Sequence, residues 1–434
     1  MTAFETRQIH EGQTPDSDTG ARALPIYQTT SFVFNDAQIA ADRFALKDLG
    51  PVYSRLANPT VQAVEERIAS LEGGVGAVLT ASGQAAAFLA IINIAGAGDH
   101  VVASPSLYGG TYNLLDVTLR KLGVETTFVE NPDNIDEWKA AVQPNTKAFF
   151  GETLTNPQSS VLNLPELSKA AHDAGVPLIV DNTLATPYLL RPIEHGADVV
   201  LHSATKFLGG HGNSIAGVIV DSGNFDYSAD PDKFPGFNEP DESYNGLVFA
   251  RDLGPDSDFG ANVSYGIKIR VQLLRDLGPS ASPFNAFLIA QGLETLSLRV
   301  ERHVENAQKV ATFLENHDQV THVNYAGLES SPYNALAKQL LPNGTGAVLS
   351  FDIAGGYDAA VKFVEALELH SHVANIGDAR SLVIHPSSTT HSQLSEDAQG
   401  KSGVNPALVR LSVGLEGVDD IIADLEKGFA AARG

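Results

Sequence analysis

Apolar runs of strand length recur along the first half of the chain, separated by stretches with helical spacing. From Val75 onward the runs are VGAVLTA (75–81), HVVAS (100–104), VETTFV (124–129), KAFFGET (147–153), PLIVDNT (177–183), ADVVLHS (197–203) and AGVIVDS (216–222). Helical segments lie between the earlier ones: QAAAFLAIINIAG (84–96), TYNLLDVTLRKLG (111–123) and LPELSKAAHDAG (164–175). Runs that are apolar on both faces and joined by helices predict a mostly parallel α/β sheet, covered on both sides. Upstream, Asn58-Pro59 opens a helix, with Asn58 as N-cap, Pro59 at the first position and Val61, Val64, Ile68 and Leu71 on one face. Gly73-Gly74 stops it. The first 58 residues lack sustained periodicity and read as an arm.

Residues 221–258 break the rhythm. They are acidic and rich in Gly and Pro, and read as an insertion or long surface loop, either a lid or decoration. A long helical region from Ser282 to Asn316 follows. Strands are then expected at THVNYAG (321–327), GAVLSFDIAG (346–355) and ALVRLSVGLE (407–416), and a helix at VDDIIADLEKGFAAA (418–432). With 434 residues the chain is too long for one ordinary core. The expected division is an arm (1–58), an α/β domain (59–265) carrying the insertion, and a smaller α+β domain (266–434).

Composition narrows the class. A hydrophobic content of 43% with 18% charged residues is that of a soluble globular protein. No apolar run approaches the roughly 18 residues of a spanning helix, and the N-terminus has no signal-peptide pattern. The chain contains no cysteine, which excludes disulfides, thiolate metal sites and a cysteine nucleophile, and fits a cytoplasmic protein. A net charge of −24 argues against nucleic acid or an anionic membrane as partner, though not against a locally cationic pocket. The 13 histidines include His370-x-His372 and His385…His391, but none sits in a metal-motif context, so no metal is expected. No GxGxxG turn with a following acidic residue supports a dinucleotide site.

In a parallel α/β sheet ligands gather at the carboxyl ends of the strands, and four features fall at such ends. TASGQAA puts the N–H groups of Gly83 and Gln84 at a helix start behind Ser82, suited to a phosphate. PLIVDNT ends on Asp181, where a carboxylate is costly unless paired. HSATKFLGG supplies the hydroxyls of Ser203 and Thr205 and the amine of Lys206, which a desolvated pocket would make nucleophilic. SPSLYGG places Tyr108 where its ring could stack on a flat ligand. Each alone has a plainer reading: an N-cap, a turn aspartate, a loop lysine, a surface tyrosine. Together they match the needs of pyridoxal phosphate, namely an amine for its aldehyde, a carboxylate for its ring nitrogen, phosphate donors and a stacking ring.

YSRLANPT (53–60), ASGQAA (81–86), DNT (181–183), SATKFLGGHG (203–212) and LVRLSVGLE (408–416) resemble, in order, the motifs of the Cys/Met-metabolism family of pyridoxal-phosphate enzymes. The resemblance covers nearly the whole chain and implies the aspartate-aminotransferase-like fold, called fold type I. It implies that Lys206 holds the cofactor, Asp181 faces its ring nitrogen, Tyr108 stacks on the ring, and Gly83, Gln84, Ser203 and Thr205 bind the phosphate. Thr183 and Asn156 would also touch the cofactor, Asn156 beside the ring oxygen. Tyr53 and Arg55 match a YxR pattern that reaches the phosphate of the neighbouring subunit, with Tyr53 also near substrate. Arg410 would clamp the substrate α-carboxylate. Asn375 stands where relatives often carry serine, as a further substrate contact. Lys206 and Tyr108 would move the protons.

The insertion, GHGNSIAGVIVDSGNFD (210–226) and VANIGDARSLVIHPSSTTH (373–391) point within the family to its O-acetylhomoserine-using sulfhydrylase branch. This implies γ-replacement on an O-acyl homoserine by sulfide or methanethiol, in a homotetramer of two-fold dimers; the alternatives are cystathionine γ-synthase and γ-lyase chemistry. Methionine-degrading γ-lyases often carry a cysteine where this chain has Gly110, which weighs against that reading.

Overall fold

In the computed structural model, which describes residues 2–390, 392 and 403–433, all seven predicted strands of the first half form one sheet. They are β1 (Gly76–Thr80), β2 (His100–Ala103), β3 (Glu125–Phe128), β4 (Thr146–Glu152), β5 (Leu178–Asp181), β6 (Val199–Ser203) and β7 (Gly217–Asp221), in the order β1-β7-β6-β5-β4-β2-β3. Strand β7 runs antiparallel to both its neighbours; every other pairing is parallel. The register sets Glu152 opposite Asp181, and Asp181 opposite Leu201, so the chemistry-bearing ends of β4, β5 and β6 lie side by side.

Helices cover both faces because the central strands are apolar on both; only the edge strand β3, Glu-Thr-Thr-Phe, is polar and part-exposed. Among the early ones are α1 (Phe4–His10), α2 (Ala37–Phe44), α3 (Pro59–Glu72) and α4 (Gly83–Ile92). Val180, Val200 and Val218 pack towards Val61, Val64, Ile68 and Leu71 of α3. Ile179, Leu201 and Ile219 face Ala86, Leu89 and Ala90 of α4. The start of α3 is as predicted: Asn58 Oδ1 accepts from Thr60 N at 3.0 Å, and Gly73 ends the helix with φ +86°. The arm is less formless than its sequence suggested. Helix α1 packs on α3, and Gln8 Nε2 donates to Ser297 Oγ at 3.0 Å.

The reading of 221–258 as a surface loop needs correction. Tyr227, Phe234, Phe237 and Phe249 are buried in the core on the α4 side, with Tyr227 stacked on Phe237 at 4.3 Å. The Asp221 carboxylate joins the start of the segment to the helix beyond its end, accepting from Gly223 N at 2.9 Å and Gly266 N at 3.1 Å. The acidic, Gly- and Pro-rich composition describes its outer surface; four irregularly spaced aromatics hold it down. It is a packed buttress.

The long helical region divides at Glu294-Thr295 into helices Pro283–Leu293 and Leu296–Glu315. Beyond it, β8 (Val320–Asn324), β9 (Val348–Ile353), β10 (Ser371–His372), β11 (Leu382–Ile384) and β12 (Leu408–Ser412) make a second sheet, ordered β10-β11-β12-β9-β8. Strands β10 and β11 were not anticipated, being only two and three residues long. The final helix, Val418–Ala432, follows its predicted span and packs Ile421, Leu425 and Phe429 against this sheet.

Candidate active site

Lys206 sits in the tight turn that leaves β6. The turn is closed by Lys206 N donating to Ser203 O (3.1 Å) and Gly210 N donating to Lys206 O (2.7 Å). Arg299, from helix Leu296–Glu315, fastens it from behind, donating to the carbonyls of Phe207 (2.8 Å) and Leu208 (3.3 Å). From the second sheet, the segment after β10 presses on the same turn. A Cβ on Gly377 (φ +73°) would lie 2.7 Å from Phe207 N, so glycine is required there. Lys206 Nζ donates to Asn375 Oδ1. Burial, and next the nearby Arg410 charge, push the Lys206 amine below its usual range.

Asp181 ends β5 beside that turn and is partly open to the same cavity. Thr183 N donates to its Oδ1 at 2.9 Å, while Thr183 Oγ1 accepts from Ser203 N at 2.8 Å, locking the ends of β5 and β6 together. Burial pushes the Asp181 carboxyl up; the Thr183 bonds and buried His202 oppose it. Glu152, opposite on β4, goes well above the carboxylate range through burial and then the Asp181 charge.

The N-terminus of α4 forms another wall. Ser82 caps it, accepting from Ala85 N at 3.1 Å, which leaves the N–H groups of Gly83 and Gln84 at the opening turn. Gly83 lies so close to Ser203 that a Cβ would sit 2.8 Å from the serine Cβ. Thr205 also lines the cavity, but its hydroxyl donates to Ala216 O and accepts from Ala216 N, both at 3.1 Å, so in this arrangement it offers an anion no proton. Tyr108 is 52% exposed at the head of helix Gly109–Asn113, its ring free to cover a ligand.

Arg410 reaches the cavity from β12 and is 6% exposed. Its Nη2 donates to Asn375 O at 3.0 Å and its Nη1 to Asn156 Oδ1 at 3.4 Å, while buried Nε has no partner. Burial lowers its pKa to about 10, which leaves it cationic at neutral pH. A buried guanidinium with an unused N–H is suited to a carboxylate.

These groups enclose a cavity of about 240 Å3 that all the predicted site residues line except Tyr53 and Arg55. Those two remain outside, exposed on the arm, with the Arg55 guanidinium 5.3 Å from the Tyr53 ring centre. Glu152, Leu154 and Ile215 line the cavity without having been picked out. Glu152 had the same signal as Asp181, a carboxylate ending an apolar strand. Of the histidines singled out, His370 Nδ1 pairs with Asp424 at 2.8 Å, and His385 Nε2 with Pro406 O at 2.9 Å. His391 lies outside the described residues. Among the described residues no group of three His, Cys, Asp or Glu could hold a metal, and no helix is long and apolar enough to cross a membrane. The donor set fits pyridoxal phosphate: one buried amine, one carboxylate at a strand end, an open helix N-terminus and an accessible aromatic ring.

The profile of the family described as Cys/Met metabolism PLP-dependent enzymes matches residues 5–430. An O-acetyl-L-homoserine sulfhydrylase of Corynebacterium glutamicum is 58% identical over 431 residues, covering 99% of this chain and 97% of the relative. Among solved structures, an O-acetylhomoserine (thiol)-lyase of Campylobacter jejuni carrying a pyridoxyl-lysine phosphate superposes with TM-score 0.94 at 40% identity, covering 99% of this chain and 100% of that one. A cystathionine γ-lyase of Lactobacillus plantarum, complexed with L-serine, superposes with TM-score 0.84 at 34% identity over the whole of both chains.

Proposed function

The chain belongs to the Cys/Met-metabolism family of pyridoxal-phosphate-dependent enzymes, of fold type I, and from that premise we propose that it is an O-acetylhomoserine sulfhydrylase. It exchanges the acetate of O-acetylhomoserine for sulfide, giving homocysteine, with methanethiol as an alternative nucleophile giving methionine. The observation that carries the choice of reaction is 58% identity along 99% of the chain to a sulfhydrylase. Gly110 in place of the γ-lyase cysteine agrees with it.

Bound in the cavity, pyridoxal phosphate supplies an electron sink that lets protons leave Cα and Cβ of an amino acid and its γ-substituent depart. The protein's side chains do the rest. Lys206 would hold the cofactor, and its free amine would take the Cα proton. Its lowered pKa favours the free base this needs. Between these roles Asn375 Oδ1 gives the amine a fixed resting place. Arg410 binds the substrate carboxylate through its unpartnered Nε and a displaced Nη bond. Asp181 would serve the ring nitrogen as the anion that keeps it protonated, with Thr183 fixing that carboxylate. Tyr108 would stack on the ring and assist proton transfer. Gly83, Gln84 and Ser203 hold the phosphate; Thr205 joins them only if its hydroxyl turns from Ala216. Asn156, on the cavity wall, would serve the ring oxygen. Tyr53 and Arg55 serve the phosphate of a neighbouring subunit, within two-fold dimers that pair into a tetramer. The reading takes the arm (1–58), the segment 59–265 and the segment 266–434 as the working units of a cytoplasmic enzyme.

Product analysis with O-acetylhomoserine, O-succinylhomoserine, methionine and cystathionine, each with and without sulfide, tests it. Homocysteine from O-acetylhomoserine and sulfide is expected to form fastest. Faster release of methanethiol from methionine would replace it with a γ-lyase assignment.

A further inference from the structure

Glu152 has no part in the chemistry just described, yet it lies deep in the cavity wall. It ends β4 directly opposite Asp181 of β5 and is 4% exposed. Its Oε1 accepts from the backbone N–H of Tyr108 at 2.5 Å, and the Asn156 N–H is a second backbone donor to the carboxyl. One side chain thus joins three segments that are far apart in sequence: the turn after β2 that carries Tyr108, the turn after β4 that carries Asn156, and the strand pair that carries Asp181. The turn after β2 is also tied to β4 at its start, by Ser104 N donating to Phe150 O at 3.0 Å.

We propose that Glu152 is a positioning residue, whose carboxyl clamps the Tyr108 and Asn156 turns to the strand end bearing Asp181 and so sets the ring-binding geometry of the pocket. It does so as the uncharged member of an acid pair. Two carboxylates on adjacent strands, open to one desolvated cavity, do not both ionise. Burial and then the Asp181 charge both raise the Glu152 carboxyl, whereas at Asp181 the Thr183 hydrogen bonds and the neighbouring His202 oppose the rise that burial causes, so the proton of the pair falls to Glu152. The other titratable groups sharing the cavity are Lys206 from the β6 turn, Arg410 from β12 and the Tyr108 hydroxyl. A single negative charge then faces the ring, and the neutral acid still accepts from the Tyr108 N–H.

The inference rests on the cavity holding pyridoxal phosphate, as the proposed function does, but not on which substrate is used. The test is equilibrium binding of pyridoxal phosphate to the apo-protein, with the visible circular dichroism of the bound cofactor, for wild type, Glu152→Gln and Glu152→Ala. Wild type is the control: failure to bind the cofactor would bring down the site assignment itself. With wild type binding, Glu152→Ala is expected to bind at least tenfold more weakly with an altered dichroic band. Glu152→Gln, which retains a carbonyl acceptor, should recover affinity to within about threefold and keep the wild-type band. The ratio of wild-type to Gln affinity should stay flat from pH 6 to pH 8, because an acid that keeps its proton across that range does not change charge. Thermal melting checks that each variant folds, and Glu152→Gln carries the test if Glu152→Ala does not. Unchanged affinity in folded Glu152→Ala overturns the clamp. Binding by Glu152→Gln as weak as that of Glu152→Ala, or a tenfold change in the affinity ratio across that pH range, overturns the neutral-acid role.

Discussion

At the scale of single residues, the site depends on a few polar atoms left with capacity to spare. Arg410 is the clearest: its two used N–H groups go to Asn375 O and a long contact with Asn156, and Nε is buried with none. A lysine in its place brings a compact charge and loses the planar fork. Arg410→Lys is therefore expected to keep the cofactor's absorbance, since the cofactor contacts lie elsewhere. It should lose about 10- to 100-fold in kcat/KM, the worth of one or two charge-assisted bonds. Steady-state kinetics with O-acetylhomoserine and sulfide measure this, and wild-type efficiency would show that Arg410 does not hold the carboxylate. Lys206, Asp181 and Tyr108 were legible in the sequence because each interrupts a strand-to-helix boundary with a chemically expensive group. Glu152 ends β4 in the same way, but what it does there depends on the backbone N–H groups of Tyr108 and Asn156, which its own segment GET does not reveal. The commitment of Thr205 to Ala216 could not be read at all, since it depends on two backbone atoms eleven residues further along the chain.

At the scale of elements, the lysine turn is held by a helix from the other half of the chain. Helix Leu296–Glu315 presents Arg299 to the carbonyls of Phe207 and Leu208, and His303 edge-on to the Phe207 ring at 5.3 Å. The helix was legible from its spacing; its task was not, because Arg299 and His303 read as polar surface positions in a sequence and are in fact buried. His303 Nδ1 donates to Val413 O at 2.7 Å and Nε2 has no partner, and burial depresses its pKa to about 4. The native state thus resists a proton that the unfolded chain accepts near pH 6.5. Stability from this residue is intact above pH 6.5 and is lost as pH falls towards 4, by about 3 kcal/mol once both states would be protonated. Urea unfolding followed between pH 7 and pH 4 should show the loss in wild type, and a shallower one in His303→Gln, which can still donate to Val413. Parallel curves would mean that other groups govern the acid limb. The insertion makes the same point about legibility. Its composition described its outer face, and only packing exposed the role of Tyr227, Phe234, Phe237 and Phe249.

At the scale of the molecule, one set of predicted residues stays apart from the rest. Tyr53 and Arg55 lie outside the cavity, although the other predicted residues converge on it from both sheets. The arm that carries them is anchored at α1 and at the Asn58 cap. Between those points it exposes Val33 (92%) and Phe44 (68%), apolar surface that a single chain leaves in water. The opposing reading is that Arg55 serves its own chain, where Asp276 is the carboxyl that feels its charge. Symmetry separates the two. Arg55→Ala and Lys206→Ala chains, each inactive alone, are mixed by co-expression or by joint refolding. In a hybrid dimer one site receives Lys206 from one chain and Arg55 from the other, and the opposite site receives neither. With equal amounts and random two-fold pairing, half the dimers are hybrid and about a quarter of all sites should recover. Sulfide-dependent homocysteine formation gives the recovered fraction, and differently tagged chains prove that hybrids form. Recovery near a quarter requires a site built from two subunits. No recovery in proven hybrids would mean that each Arg55 acts on its own cavity, and the arm would then have to fold back across its own chain to reach it.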